Sequence, residues 1–308
     1  MKSTAMLLAF VLFAGFAYGQ RGMAKHVVYG GVGSNMFFGD LGGSEKAGHA
    51  FSDFDMKSLR PSFTLGYEYR FYKNLSVRLG SVISRVAGDD ADSKDASRKA
   101  RNLNFRSNII SFGFNVDYYL VPEGSYHRNM TAGERFSMYF TTGLSMFRFN
   151  PQGTDENGNW VDLQPLCTEG QGTNYSYKQN LNGIPYVYTT ESKPYSLTAF
   201  EIPVGLGFNF IAEKSITVGL ELGVHFTTTD YIDDCSSYYF DWKNPNFLAE
   251  NPDAAPPSSM TTKMANKSNG YYAGTMGQKR GNSGYNDAYV TALVILRYKL
   301  PVFSSGRR

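Results

Sequence analysis

The chain has 308 residues and a formal net charge of +3 at pH 7, and so small a charge gives no argument for a nucleic-acid partner. Its length allows one large domain or two small ones. The 22 tyrosines, 23 phenylalanines and 32 glycines favour a β-protein in which backbones approach each other closely. The sequence has no recognisable domain boundary, coiled coil or internal repeat.

The first predicted element is a secretion signal peptide over residues 1–19. Lys2 supplies its positive charge, residues 6–16 are apolar, and Ala17 and Gly19 put small residues at the −3 and −1 positions of a cleavage site. The alternative is a retained anchor, but this run is shorter than the ~20 residues that span a bilayer. We therefore predict that residues 20–308 are exported as one β-barrel domain.

Eight later segments alternate between apolar and polar residues with a period of two. This period is typical of strands with one apolar face and one polar face. The seventh segment is the clearest, since Ile216, Val218 and Leu220 alternate with Thr217 and Gly219. The eight predicted strands cover residues 25–35, 63–71, 75–85, 110–118, 137–146, 201–210, 216–226 and 288–300.

The connections between these strands alternate in length. Residues 72–74 and 212–214 are tight turns, residues 120–135 form a medium connection, and residues 88–104, 149–196 and 227–287 are long polar segments. Long outer loops and short periplasmic turns are typical of outer-membrane barrels, and an even strand count puts both termini in the periplasm. Within the last loop, residues 251–269 are rich in Pro, Ser, Thr, Lys and Asn, which indicates a mobile segment.

A soluble β-domain that buries its apolar face is the alternative to a membrane barrel. Glycines on the polar faces favour the membrane, because the crowded lumen of a small barrel needs them. Most loops also lack the apolar content that would cap a soluble core. Aromatic residues gather near the periplasmic turns, as in an interfacial girdle: Tyr69, Phe71, Tyr72, Tyr118, Tyr119, Phe136, Phe210 and Tyr298.

The predicted fold class is therefore all-β: an eight-stranded antiparallel transmembrane β-barrel with long extracellular loops and short periplasmic turns. It would lie in the cell outer membrane of a Gram-negative bacterium. Charged residues of both signs fall on the polar faces and would pair in the lumen, since unpaired charges are costly there. We interpret them as residues that lock the barrel rather than a proton or solute path: Glu68, Arg70, Arg78, Asp117, Glu201 and Glu221.

No motif predicts catalysis, a cofactor or a metal. Residues 30–33 are rich in glycine, but no helix pattern follows to hold a phosphate. His225 has no implied serine partner. The acidic residues 88–95 offer carboxylates to calcium, but without the ligand spacing of a known calcium loop. Cys167 and Cys235 lie in long polar segments, where export permits either a disulfide or two exposed thiols.

The medium periplasmic connection is longer than a turn requires. It carries the charged residues Glu123, Arg128 and Arg135. The extra length of this connection makes it a candidate docking surface. The alternative is harmless variation in turn length.

Four short motifs occur in order in the first half of the chain, up to about residue 119. In this order they resemble the PorG-like outer-membrane barrels of Bacteroidota. The motifs comprise Gly39 and Asp40 in residues 34–41, Arg60 and Pro61, the run Gly88, Asp89 and Asp90, and Arg101, Asn102 and Arg106 in residues 101–107.

The resemblance implies a part in the type IX secretion system. A PorG-like barrel is associated there with a periplasmic ring of a PorK-like lipoprotein and a PorN-like protein, and would tie that ring to the outer membrane. We therefore expect a non-enzymatic anchor, surrounded by outer-membrane lipid. The alternative is a surface binding module or small pore that acts through the long outer loops.

Overall fold

The computed structural model describes residues 25–41, 58–93, 95–124, 127, 129–181, 184–268 and 276–301. The predicted signal peptide and Arg128 lie outside this part of the chain. Within it, the backbone forms twelve strands. They are β1 His26–Phe38, β2 Arg60–Tyr72, β3 Leu75–Asp89, β4 Asn104–Val121, β5 Phe136–Arg148, β6 Pro151–Thr154, β7 Trp160–Asp162, β8 Ser176–Leu181, β9 Ile184–Thr189, β10 Thr198–Ile211, β11 Ile216–Thr227 and β12 Ala288–Lys299.

Eight of these strands close into an antiparallel barrel. The order runs β3-β2-β1-β12-β11-β10-β5-β4, and β3 pairs with β4 to complete the ring. The first and last strands meet directly, with Val32 opposite Val294. Closure leaves no barrel strand with an unpaired edge. The predicted eight-stranded antiparallel barrel is thereby confirmed.

Several barrel strands are longer than the alternation predicted. β3 and β4 continue pairing out to Asp89 and Asn104. At this height the outward face carries Arg85 and Arg106, whereas buried apolar residues such as Val86 and Phe105 face inward, so the apolar period is reversed although the hydrogen-bonded ladder continues.

The outward faces of the barrel strands carry large apolar side chains that stay open to the surroundings. Phe63 is 50% exposed, Ile110 57% and Val294 52%. Residues of the inward faces, such as Ser62 and Ser111, are buried. A soluble sheet would bury the apolar face, so this inverted arrangement defines a lipid-facing belt.

The aromatic residues predicted for the periplasmic girdle divide between the two faces. Tyr72, Tyr118, Phe210 and Tyr298 are well exposed on the outside. Tyr119 is 3% exposed and belongs to the inner face, because it follows Tyr118 in an alternating strand. Its assignment to the girdle is therefore wrong.

One end of the barrel, predicted to face the periplasm and called the periplasmic end below, has short connections. The turn between β2 and β3 contains residues 73–74, and residues 212–215 join β10 to β11. Residues 122–135 join β4 to β5 and end in the helix Ala132–Arg135. A capping box between Thr131 and Glu134 fixes the start of this helix.

The opposite end carries an outer cap, formed by the described parts of residues 39–41, 90–103, 149–197 and 228–287. It contains the short strands β6 to β9. Its helices are Ala96–Arg101, Pro245–Glu250 and Ser259–Ala265, with 3-10 turns at Asp90–Asp92 and Gln164–Leu166. In the described residues no helix is both long and apolar enough to cross a membrane.

The cap has apolar cores of its own. Phe240, Trp242 and Phe247 pack with Tyr175 in an aromatic cluster. The helix Ser259–Ala265 buries Met264 against Leu163 and Leu166. The expectation that most loops lack apolar content is therefore wrong. The prediction of a mobile segment is also wrong for the helix Ser259–Ala265. These residues contact across long sequence separations and leave no local period.

Candidate functional site

The six charged residues predicted for the lumen all lie inside the barrel. Arg78 is at the centre, with its guanidinium 2.8 Å from both Asp117 Oδ2 and Glu221 Oε2. Its Nη2 also donates to Thr141 Oγ1 at 2.9 Å. The antiparallel register accounts for the first pair. Arg78 on β3 lies opposite Asn115 on β4, and Asp117 is the next residue of β4 on the same inner face.

Below this layer, nearer the periplasm, Arg70 and Glu68 pair at 2.7 Å. Arg297 lies 3.4 Å from Glu68 and donates at 2.7 Å to Asn209 Oδ1. Tyr119 donates its hydroxyl to Glu68 at 3.0 Å. Arg297 and Glu68 are both fully buried, so each charge depends on these partners.

The periplasmic mouth is closed by a residue from outside the strands. Glu123, two positions past the end of β4, turns inward and pairs with both Arg70 and Lys299. Thr217 donates to the same carboxylate at 3.0 Å. We define the lumen network as these eight charged residues, four of each sign: Glu68, Arg70, Arg78, Asp117, Glu123, Glu221, Arg297 and Lys299.

A separate polar layer lies nearer the outer end. Tyr289 donates its hydroxyl to Glu201 at 2.5 Å, and the His225 ring stacks on Tyr289 with centroids 4.3 Å apart. Nδ1 of His225 is 3.4 Å from Glu201, and Nε2 is 3.3 Å from the Thr291 hydroxyl. His225 is therefore part of a buried stack, and the hydroxyl nearest to its Nε2 belongs to Thr291.

Between the two layers is a cavity of about 40 Å³, lined by Tyr29, Arg78, Thr141 and His225 among others. That volume holds only a few water molecules. The remaining space is filled by large side chains seated over glycines. A Cβ at Gly80 would lie 2.2 Å from the Tyr29 hydroxyl, and one at Gly207 would lie 1.9 Å from Cζ of Tyr139.

Sequence reasoning did not place three members of the lumen network, and one of them, Glu123, was assigned to a docking surface instead. Arg297 and Lys299 were overlooked because only the apolar face of the eighth strand was considered. The signal was present, since both residues alternate with Leu296 and Tyr298, which face outward. A charged residue on the inner face of a predicted strand would have identified them.

The docking residues proposed from the sequence have different environments. Glu123 is held inside the barrel mouth and is not available to a partner. Arg135 is partly exposed and donates to the carbonyl oxygens of Ile211 and Ala212 at 3.1 and 3.3 Å. It therefore fastens the medium connection to the neighbouring turn.

The family-resembling motifs occupy two places. Arg101 makes a bidentate pair with Asp90 at 2.7 Å and donates to the Asp40 carbonyl, also at 2.7 Å. Asn102, with φ of 58°, ends the helix Ala96–Arg101 in the left-handed conformation. Gly39 packs against Asp287 and Phe37. The others line a rim cavity over β2 to β4: Arg60, Pro61, Gly88, Asp89 and Arg106.

Arg101 connects these motifs to a second buried ionic cluster, the cap network. Its Nη1 donates to the Arg280 carbonyl at 2.7 Å, and Arg280 pairs with Glu169 at 3.0 Å and Asp234 at 3.3 Å. Burial raises the pKa of Asp234 to about 6. Asp233 and Asp287 lie close by and accept backbone hydrogen bonds from Cys235 and Ile232.

The Asp90 carboxylate is therefore paired with the Arg101 guanidinium and is not available to bind calcium. Among the described residues, no three His, Cys, Asp or Glu side chains have an arrangement that could hold a metal ion.

Cys167 and Cys235 are free thiols, so the possible disulfide is wrong. Cys235 is buried beside Arg101 and lies 3.0 Å from the Arg280 carbonyl. Cys167 belongs instead to the aromatic cluster of Phe240 and Trp242. Burial raises the pKa of both thiols, so both are protonated at neutral pH.

A closed antiparallel sheet, an exposed apolar belt and an ion-paired lumen are features of β-barrels of the outer-membrane type. No protein-family model and no curated protein matches the chain. Similar solved structures include Neisserial surface protein A (NspA), with a TM-score of 0.37 and 9% identity, covering 91% of this chain and 100% of that one.

Two further solved structures give comparable values. The Yersinia pestis attachment invasion locus protein Ail, in complex with the heparin analogue sucrose octasulfate, has a TM-score of 0.36 and 8% identity, covering 90% of this chain and 99% of that one. The outer membrane protein OprG from Pseudomonas aeruginosa has a TM-score of 0.36 and 9% identity, covering 91% and 97%.

Proposed function

We propose that this protein is a non-conducting barrel of the Gram-negative outer membrane that anchors a periplasmic protein assembly. The assembly we infer is the type IX secretion ring of Bacteroidota, with a PorK-like lipoprotein and a PorN-like protein as partners. The motif resemblance in the first half of the chain is the basis for this choice of system. The observation that carries an anchoring role is the closed lumen.

The closed lumen argues against transport. Four cations and four carboxylates cross the barrel interior, and a permeating solute would have to separate buried pairs such as Arg297 and Glu68. Leaving one charge of such a pair uncompensated is costly, since removal of one partner of a buried pair typically destabilises a protein by about 3–5 kcal/mol. A barrel of this kind acts through its surfaces, and the periplasmic surface is the one that a ring in that compartment would contact.

The periplasmic face offers a fixed surface for such a contact. The medium connection ends in a capped helix, and Arg135 ties it to the turn at residues 212–215. Lys214 in that turn is exposed, as is Glu134 in the helix. Two connections joined in this way present charged side chains without ordering a loop on binding.

The test is affinity purification of the tagged protein from outer membranes in mild detergent, with mass spectrometry of what is recovered. We expect the PorK-like and PorN-like proteins to be recovered. Lys214→Glu should reduce their recovery, and Glu134 is kept unchanged because its side chain caps the helix. Lys243→Glu, an exposed residue of the cap, serves as the matched control and should leave recovery unchanged.

Insertion of each variant is checked by its heat-dependent gel mobility. A fully inserted wild-type barrel recovered without either ring protein, under conditions that keep the ring intact, would contradict the proposal.

The second candidate is a surface binding module built on the outer cap. A cavity of about 450 Å³ in the cap favours it, lined by Trp242, Phe247, Ala255 and Pro257 among others. Apolar walls with aromatic side chains are typical of small-molecule sites. Filling the cavity with Ala255→Phe should abolish a surface-binding activity and leave recovery of the ring proteins unchanged.

A further inference from the structure

Arginines are distributed unevenly around the outer rim of the barrel. Arg85 on β3, Arg106 on β4 and Arg148 on β5 all follow the lipid-facing alternation of their strands, and Arg60 at the start of β2 lies beside them. On the other side, Thr198, Phe226, Ala288 and Phe38 are the outward residues at the outer ends of β10, β11, β12 and β1.

The height of the arginines places them at the membrane surface. On β3, the outward positions from Leu75 to Ile83 are mostly apolar, and Arg85 is the next outward residue. Ten residues at ~3.3 Å each, in a strand tilted by ~40°, rise about 25 Å, which is the height of an apolar band. Arg85 therefore lies where lipid hydrocarbon gives way to headgroups.

Three of the arginines line one cavity. The rim cavity has a volume of about 330 Å³ and is lined by Arg60, Arg85 and Arg106, with Asp89 and Asp92 also contributing. Lys267 approaches it as well, donating to Asn104 Oδ1 at 2.9 Å. With three arginines and two aspartates the cavity is net positive, and Ile83, the outward residue that precedes Arg85 on β3, is exposed.

Neutral groups hold two of the guanidiniums in place. Arg85 Nε donates to Asn108 Oδ1 at 2.7 Å, and Arg106 Nε donates to Gln152 Oε1 at 2.9 Å. The Arg106 guanidinium also lies over the Trp160 ring, 4.2 Å from its centroid. Within the described part of the chain, neither Arg85 nor Arg106 forms a salt bridge, so their terminal nitrogens keep donors for an anion.

We propose that the rim cavity binds the phosphate of an anionic outer-leaflet lipid. A planar guanidinium matches a phosphate with two parallel hydrogen bonds, and two fixed guanidiniums suit the phosphorylated sugar of a glycolipid. Trp160 is placed as an interfacial aromatic, and the belt below supplies the surface for the acyl chains. This site is independent of the periplasmic face.

The experiment is native mass spectrometry of the full barrel in non-ionic detergent, titrated with diphosphoryl lipid A. Dephosphorylated lipid A and inorganic phosphate are the comparison ligands. We expect one lipid A per barrel. Arg85→Gln with Arg106→Gln should weaken its binding about tenfold or more, since both charge-assisted contacts are lost. Arg85→Lys with Arg106→Lys should weaken it less, because the charge remains.

Arg148→Gln is the matched control. It removes an arginine of the same rim that does not line the cavity, and we expect its binding of lipid A to stay within about twofold of wild type. Heat-dependent gel mobility confirms that each variant is folded.

Three results would overturn the proposal. The double glutamine variant would bind lipid A as tightly as wild type, or Arg148→Gln would weaken binding as much as that variant. Alternatively, dephosphorylated lipid A or inorganic phosphate would bind as tightly as diphosphoryl lipid A. Equal binding of dephosphorylated lipid A would show that the phosphate is not recognised, and equal binding of inorganic phosphate would show that the lipid is not.

Discussion

The lumen and the outer cap both bury many charges, but they balance them differently. The lumen network sets four cations against four carboxylates. In the cap, Arg101 and Arg280 face a larger set of buried or half-buried carboxyls: Asp40, Asp90, Glu169, Asp230, Asp233, Asp234 and Asp287. A balanced network is held by its ion pairs, whereas an excess of carboxyls is tolerated only if some keep their protons.

Removal of a lumen cation is expected to have the largest effect on the stability of the barrel. Arg297→Met leaves Glu68 and Glu221 with one partner fewer in a buried site. We expect the free energy of unfolding to fall by about 3–5 kcal/mol, measured by urea titration of the barrel in lipid vesicles. Lys99→Met, at an exposed cap position, is the control.

Adding Glu68→Gln to Arg297→Met separates two explanations of that loss. If an uncompensated charge is responsible, the double variant should recover part of the stability. A double variant as unstable as the sum of its parts would mean that the packing of Arg297, and not its pairing, is what matters.

Packing in the lumen is tested at a glycine. Gly207→Ala places a methyl group 1.9 Å from Cζ of Tyr139, so the ring must move and its hydrogen bond with Arg297 is disturbed. A loss of about 1–3 kcal/mol is expected in the same titration. Gly133→Ala has nothing within 4 Å of the added methyl group and should not destabilise the barrel.

The carboxyl excess predicts that the cap, unlike the lumen, loosens as the pH rises. Burial and the nearby Asp233 raise the pKa of Asp230 to about 9, well above its value in an unfolded chain. Between these two values the folded cap binds more protons than the unfolded chain, so stability falls as pH increases.

For one such group the slope is about 1.4 kcal/mol per pH unit. Limited proteolysis of the cap between pH 6 and pH 9 would measure this dependence of cap stability on pH. Asp230→Asn should flatten the dependence, and an unchanged slope in that variant would show that Asp230 does not keep its proton in the folded cap.

The smallest effect is expected at the cysteines. Because Cys167 and Cys235 are unpaired, a reducing agent should leave the unfolding midpoint unchanged. Both thiols should react with iodoacetamide only after denaturation, since they are buried and protonated. A shift in the midpoint on reduction would indicate a disulfide.

Sequence reasoning succeeded where one local pattern determined the structure. β11 is an example, since lipid on one side and a crowded lumen on the other impose strict alternation on Ile216–Thr227. The same rule placed Arg78, Asp117 and Glu221 inside the barrel. It could also have located Arg297 and Tyr119, had both faces of each strand been followed to their ends.

The rest of the site could not be predicted because no period connects its parts. Arg101 and Arg280 meet through loops that are far apart in the sequence, and Glu169 joins them from a third loop. Glu123 looked like a surface charge because its inward turn depends on Lys299, at the other end of the chain. Contacts of this kind follow from closure of the barrel and are not visible in any short segment.

The pairing of β1 with β12 has a consequence for how the chain reaches its membrane. The amide of Leu300 donates to the His26 carbonyl at 2.8 Å, so the seam joins the first strand of the barrel to the last. Until β12 arrives, β1 and β11 each present an open edge of unpaired backbone groups, and such edges pair readily with other chains. The barrel therefore cannot assemble strand by strand in the bilayer as synthesis proceeds. The chain has to be kept from aggregating until the last strand is available, because only the pairing of β12 with β1 closes the barrel.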